Sequence, residues 1–222
     1  MISEFKELEK LFHEIDKQLK TDVNIYVIGG AVLLYYGLKP ATKDVDIITI
    51  DENEYITFGN ALKAIKFKPK DPTGVYKKLN LSSILERDDC RIDVFNQAVC
   101  KKFILSKEMQ KRANSIISLK HLKVFLCSNE DIFIFKSFTE REGDLEDNIS
   151  LIKQGIKWDI ILEELISQIK ISDQDVWITW VGERFDKLEE KGINIPIMKK
   201  INKLRDEYFN KIEREYPKNK LI

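Results

Sequence analysis

Cysteine is scarce in this chain: of 222 residues only Cys90, Cys100 and Cys127 are cysteines, an odd number, scattered and without a C-x-x-C pair. Such a set builds neither a disulfide framework nor a zinc ribbon, and it suits a reducing cytoplasm. The two histidines, His13 and His121, stand apart with no metal-ligand spacing around them. Net charge is absent, since 37 Lys and Arg balance 37 Asp and Glu, which excludes a uniformly basic nucleic-acid binder. No long hydrophobic run is present either. The longest uncharged apolar stretch, Ile25 to Leu38, carries three glycines and is too short to cross a bilayer. The opening MISEFKELEKLFHEIDK reads as a charged amphipathic helix and not as a signal peptide. Both G-x-x-x-x-G-K-[ST] and G-x-G-x-x-G are missing, which argues against a P-loop kinase and a dinucleotide fold. Internal repeats and low-complexity linkers are not found.

What is there is the composition of a globular protein, with 43% apolar and 33% charged residues and enough length for a sizeable core. The balanced charge hides a pattern. Residues 1–60 carry 6 basic and 11 acidic side chains, residues 61–123 carry 15 and 6, and residues 124–222 carry 16 and 20. The middle of the chain is thus a basic island, a pattern that can mark contact with a polyanion.

Periodicity divides the chain into an α/β part, 1–127, and a helical part, 128–222. Ile2, Phe5, Leu8, Leu11, Phe12, Ile15 and Leu19 recur at helical spacing, with Ser3 as the expected cap. Val23–Ile28 reads as a buried strand ending at Gly29-Gly30. A short apolar helix closed by Gly37 follows, then a strand over Asp44–Ile50 and a helix over 52–65. Val75–Leu79, Ser82–Arg87 and Arg91–Phe95 suit strands, with turns at Asp71–Gly74 and Asp88-Asp89. A helix at SKEMQKRA and short strands at Ile116–Ile117 and Leu122–Leu126 come next. A helix starting near Ser128–Asp131 and four further helical stretches, 144–155, 158–169, 173–191 and 196–215, fill the rest. Trp158, Trp177 and Trp180 fall on these helices, where core packing is their expected role, with base stacking as the minor alternative. The expected class is α+β, a mixed sheet flanked by helices and followed by a helical bundle.

One stretch carries chemistry. In IYVIGGAVLLYYGLKPATKDVDIIT a buried strand runs into a glycine pair, a short helix and a strand bearing Asp44 and Asp46. Residues i and i+2 of a strand share a face, so both carboxylates project together. Two like charges that close are unfavourable unless a cation lies between them. Magnesium takes oxygen ligands and links carboxylates to phosphates, and metal clamps on the attacking and leaving oxygens are a known solution to phosphoryl transfer. Glycine lets backbone approach a phosphate closely. Asp93, a lone acid in the strand Arg91–Phe95, completes the set if that strand lies beside Asp44 and Asp46. Its bland alternative is an edge-strand acid paired with Arg91.

The order hydrophobic-Gly-Gly, Asp-x-Asp and a later strand Asp resembles the DNA polymerase β-like nucleotidyltransferase superfamily. Gly29, Gly30, Asp44, Asp46 and Asp93 occupy its signature positions, and Thr42-Lys43 resembles its approach to the acids. SNEDIFIFKSFTEREGDLEDNISLI is similar to the helical segment of AbiEii toxin-like and related prokaryotic nucleotidyltransferases, with Lys136, Arg141, Asp144 and Asp147 in matching places. The resemblance spans residues 20–155. It implies a nucleotidyltransferase fold with Asp44, Asp46 and Asp93 as catalytic and metal-holding residues for Mg²⁺, or Mn²⁺ in its place. It also implies nucleotide contacts from Gly29, Gly30, Thr42, Lys43, Lys136 and Asp147. Attack on the α-phosphate of an NTP would release pyrophosphate, Asp93 would help deprotonate the acceptor hydroxyl, and Lys136 would neutralise phosphate charge. Against these stand a plain salt bridge for Lys136, which interrupts an apolar helix, and helix capping for Asp144 and Asp147.

The resemblance further implies a cytoplasmic enzyme, a toxin–antitoxin or phage-defence component with an antitoxin as partner. The acceptor would be RNA, tRNA included, or a protein hydroxyl. Lys63, Lys66, Lys68, Lys70, Lys77 and Lys78 follow the Asp44 strand, and Lys101, Lys102, Lys107, Lys111 and Arg112 follow the Asp93 strand. These eleven side chains favour RNA, with a merely solvated lysine-rich surface as the alternative. The competing class is a binding protein of the same fold that holds a nucleotide or partner without turnover.

Overall fold

Apolar alternation along the strands and apolar stripes along the helices set the architecture. The structure, a computed structural model, describes residues 1–71, 83–99 and 103–215. The strand expected at Val75–Leu79, most of the turn before it, and Lys77, Lys78, Lys101 and Lys102 lie outside the described residues. Contacts divide the chain into two units, Met1–Ser128 and Asn129–Ile222.

The first unit runs α1 (Phe5–Asp16), β1 (Val23–Ile28), α2 (Gly30–Tyr35), β2 (Asp44–Thr49), α3 (Glu52–Ala64), β3 (Lys68–Lys70), β4 (Ser83–Arg87), β5 (Cys90–Asn96), β6 (Ala98–Val99), β7 (Phe103–Ile104), α4 (Lys107–Arg112), β8 (Asn114–Ser118) and β9 (Leu122–Leu126). Seven strands form one sheet in the order β3-β4-β5-β2-β1-β9-β8, and β6 pairs with β7 apart from it. The sheet is mixed. β2 is antiparallel to β1 and parallel to β5, and β1 is parallel to β9.

Register sorts the side chains of this sheet onto two faces. Val45 and Ile47 lie level with Ile92 and Val94 of β5, and Ile47 also with Val27 of β1. All of these, with Ile25 and Val124, are buried to within 1%. Helix α3 touches β1, β2 and β5, and α1 touches β9. Their buried Leu8, Leu11, Phe12 and Ile15, and Phe58, Ala61 and Leu62, supply apolar cover. Asp44, Asp46, Arg91 and Asp93 belong to the opposite face by the same alternation.

Helix boundaries follow local chemistry. The α1 cap is Glu4 and not Ser3: the Glu7 carboxylate reaches back and accepts the N–H groups of Ser3 and Glu4 at 3.2 and 3.1 Å. Gly37, at φ 69°, ends α2, with the Leu38 N–H donating to the Leu33 carbonyl at 2.8 Å. The Asp51 side chain accepts the Glu54 N–H and starts α3. Glu54 then accepts the backbone and side-chain N–H groups of Asn24, which ties α3 to β1 and satisfies a buried acid. Strand β3, with sequence KPK, and the two-residue strands β6 and β7 were not expected. Proline and lysine disguise the first as a loop, as they do on sheet edges, and the others are too short to show a period.

The second unit is helical: α5 (Asn129–Ser137), α6 (Glu142–Gln154), α7 (Trp158–Ser172), α8 (Trp177–Glu190) and α9 (Met198–Glu215). Phe133 anchors its core against Trp158 and Phe185, with ring centroids 5.5 and 5.6 Å away. Trp177 is buried against Phe138, but Trp180 is half exposed, so the core role expected for all three tryptophans fails at Trp180. Among the described residues no helix is long and apolar enough to cross a membrane.

Candidate active site

The turn between β1 and α2 shapes the site. Gly29 takes φ 69° and ψ −144°, a conformation strained for any side chain. A Cβ on Gly29 would collide with Asp46 Oδ2, and one on Gly30 would lie 2.5 Å from Thr42 Oγ1. The space the two glycines leave is therefore filled by the site's own Asp46 carboxylate and Thr42 hydroxyl. Thr42 is 5% exposed. Its backbone pairs with Ile2 in both directions, at 2.9 and 2.8 Å, and its hydroxyl donates to the Asp44 carbonyl at 3.0 Å. These bonds fix the chain as it enters β2. Lys43 is exposed, next to half-buried Asp44.

Across the sheet, Asp46 is level with Ile28 on β1 and with Asp93 on β5, while Asp44 is level with Arg91. The fold thus brings Asp44, Asp46 and Asp93 to one face of two neighbouring parallel strands, beside the glycine turn. Asp93 is not an edge residue, because β5 lies between β4 and β2. It is 2% exposed and grips Arg91: Nε meets Oδ1 at 2.6 Å and Nη2 meets Oδ2 at 2.7 Å. Burial pushes the Asp93 carboxyl above its ordinary value, Arg91 pulls it back only in part, and the charges of Asp44 and Glu86 add to the rise. Sequence reading noticed Arg91 only as a bland partner. Lys39 escaped it altogether, although the Lys39 stem comes within 4.0 Å of the Cβ position at Gly30.

The donor set is oxygen only, two carboxylates at i and i+2 and a third on the adjacent strand, which suits a hard divalent cation. Among the described residues no three His, Cys, Asp or Glu side chains already converge as a metal cage. Of the three acids here, Asp93 has both oxygens directed at Arg91.

The second unit holds its own charged cluster. Lys136, 6% exposed, places its ammonium 2.7 Å from both Asp144 Oδ1 and Asp147 Oδ2. Asp144 Oδ2 also accepts from Thr139 Oγ1 at 2.5 Å and Arg141 Nε at 2.6 Å. Arg184 donates to the Arg141 carbonyl at 2.6 Å. Burial alone would raise the Asp144 carboxyl; Lys136, with Thr139 and Arg141, overrides it and holds the group below its ordinary value. The α6 N-cap is Arg141, with Asp144 in the first turn and Asp147 one turn on. Lys136 and Asp147, expected at the nucleotide, are here engaged with each other.

Three solved structures are similar over most of the chain. One is ANT(2")-Ia in complex with adenylyl-2"-tobramycin, at 11% identity and TM-score 0.49, covering 74% of this chain and 98% of that one. Another is a protein of Thermotoga maritima assigned as a nucleotidyltransferase, at 18% and 0.43, covering 69% and 94%. A third is an antigenic nucleotidyltransferase-like protein of Paracoccidioides brasiliensis, at 18% and 0.43, covering 81% and 94%. No curated protein sequence matches the chain. The sequence profile of DUF6036, described as a nucleotidyltransferase of unknown function, matches residues 5–186. With so much of its length matched, the chain belongs to the DUF6036 family of nucleotidyltransferases.

Proposed function

We propose that this chain transfers a nucleoside monophosphate from an NTP to an RNA hydroxyl, with Asp44, Asp46 and Asp93 holding Mg²⁺. The observation that carries the reading is the register of Asp46 with Asp93, beside a glycine turn packed on Asp46. A bound divalent ion would neutralise phosphate charge and polarise the α-phosphate. Asp44 and Asp46, half-buried on one face, would provide its oxygen ligands. Asp93, once clear of Arg91, would accept the acceptor hydroxyl's proton. Thr42 and the two glycines keep Asp46 in place, and the exposed Lys43 beside Asp44 would meet the triphosphate.

The RNA acceptor is favoured by the basic island. Of its seven described members, Lys63, Lys66, Lys68, Lys70, Lys107 and Lys111 are exposed and Arg112 is half-buried. Lys70 and Lys111 make close ion pairs with Glu86 and Glu108. A protein hydroxyl is the next acceptor, and a toxin silenced by an antitoxin is the biological setting this chemistry fits. One observation favours the reading without turnover: Asp93 is occupied by Arg91.

Labelled NTPs incubated with the protein, Mg²⁺ and total RNA decide between them. Label should pass to RNA. RNA binding should weaken linearly in log–log with salt, with a slope of about −0.7 to −0.9 per phosphate contact. Charge reversal at Lys66 and Lys68 should make that slope shallower and leave triphosphate affinity unchanged. Salt-insensitive association would remove RNA and bring forward a protein hydroxyl. Tight nucleotide binding with no label transferred to anything in a lysate would favour the non-catalytic reading.

A further inference from the structure

On the acid-bearing face of the sheet, Arg91 stands among the acids. Arg91 is level with Asp44 on β2 and with Glu86 on β4. Two residues along its own strand it grips Asp93 with two parallel bonds. Asp46 stands beside Asp93 in the next row. Four carboxylates thus border a single guanidinium, and Glu86 is already neutralised by Lys70 at 2.7 Å. Asp93, 2% exposed, is too deeply buried to remain charged without a counter-ion.

We propose that Arg91 is a displaceable counter-ion, which satisfies Asp93 in the metal-free protein and must release it before Asp93 can join Asp44 and Asp46 as a ligand. This rests on the metal-site reading above. Arg91 has a short way to go. Its side chain is 18% exposed, and its row-mates Asp44 and the Lys70-paired Glu86 flank it. The device keeps a buried acid from standing alone, at a cost in metal affinity. Arg91 is a positioning residue in this account: it touches neither substrate nor the reacting atoms, and it controls whether Asp93 is available.

The test uses Mn²⁺ alone, without nucleotide, titrated calorimetrically into the full chain and followed in parallel by the loss of free-ion electron paramagnetic resonance signal. Arg91→Met should tighten Mn²⁺ binding by about tenfold or more, because a charge-assisted pair no longer has to be broken. In an Asp93→Asn background the same change should have no effect on affinity. Arg91→Lys, which keeps the charge but loses the two-pronged grip, should tighten binding by a smaller factor, and it carries the test if Arg91→Met does not fold. Unchanged or weaker Mn²⁺ binding in the Arg91 variants, with binding still abolished by Asp44→Asn/Asp46→Asn, would overturn the counter-ion role and leave the metal site standing. If the wild-type chain and Asp44→Asn/Asp46→Asn bind Mn²⁺ alike, the site reading itself falls and takes the Arg91 proposal with it.

Discussion

Lys136→Met should destabilise the helical unit by roughly 3–5 kcal/mol, the usual cost of breaking a buried ion pair from one side. Methionine fills the volume of the lysine stem, so packing is not the cause. The cause is charge. Asp144 and Asp147, 5% and 12% exposed at the side chain, would lose the ammonium that both share. Asp144 keeps Thr139 and Arg141, while Asp147 loses the ammonium 2.7 Å from its Oδ2. Adding Asp147→Asn to Lys136→Met should therefore recover part of the loss. The pH dependence has a definite sign. The folded-state pKa of Asp144 is depressed, so its stabilisation is present above the ordinary carboxylate range of about pH 4 and is lost as pH falls through the depressed value. That acid-sensitive contribution should shrink in Lys136→Met. Chemical denaturation read by the fluorescence of Trp158 and Trp177 measures all of this. Stability left intact, with triphosphate affinity down by about 1.5–3 kcal/mol, would instead make Lys136 the phosphate ligand.

Gly29→Ala should cost both stability and activity. The φ of 69° with ψ of −144° is a region only glycine occupies readily, and strain there is of order 1–3 kcal/mol. The added Cβ must also push aside Asp46 Oδ2, an atom the site needs where it is. Displacing a catalytic group by about 1 Å costs on the order of 100-fold in rate. Gly37→Ala is the matched control. It has the same positive φ but nothing within 4 Å of the new Cβ, so it should show the strain in thermal unfolding and leave label transfer unchanged. Equal losses of transfer in the two variants would mean that Gly29 serves the turn and not Asp46.

Much of this arrangement is legible in the sequence because short-range rules write it. The run Val23–Ile28, its glycine pair, the helix closed by Gly37 and the strand at Asp44 all follow from apolar runs with punctuating residues. The pairing of Lys136 was foreseeable too, since a lysine in an apolar helix needs a partner and Asp144 and Asp147 follow within three turns. What sequence cannot write is register between strands far apart in the chain. Nothing near Asp93 says that it lies level with Asp46, or that β4 covers β5 and makes it an interior strand. Nor does the motif say that the glycines make room for Asp46 itself, or that Arg91 folds back two residues onto Asp93 and not across to Glu86. Those depend on which rotamers survive among neighbours brought together by tertiary pairing. The cap differs for a similar reason: Ser3 is the residue local preference selects, but with Ile2 bridged to Thr42 the helix begins one residue later, with Glu4 as cap.

The central claim is that Asp44 and Asp46 hold a divalent ion for a nucleoside triphosphate. Calorimetric titration of an NTP into the wild-type chain and into Asp44→Asn/Asp46→Asn, with Mg²⁺ and with EDTA, tests it most directly. Circular dichroism would establish that both proteins are folded, which is expected because removing two neighbouring like charges relieves repulsion. Wild-type affinity should depend on Mg²⁺, and that dependence should collapse in the double variant. Equal triphosphate affinity in the two proteins, or affinity in the wild type indifferent to Mg²⁺, would contradict the assignment.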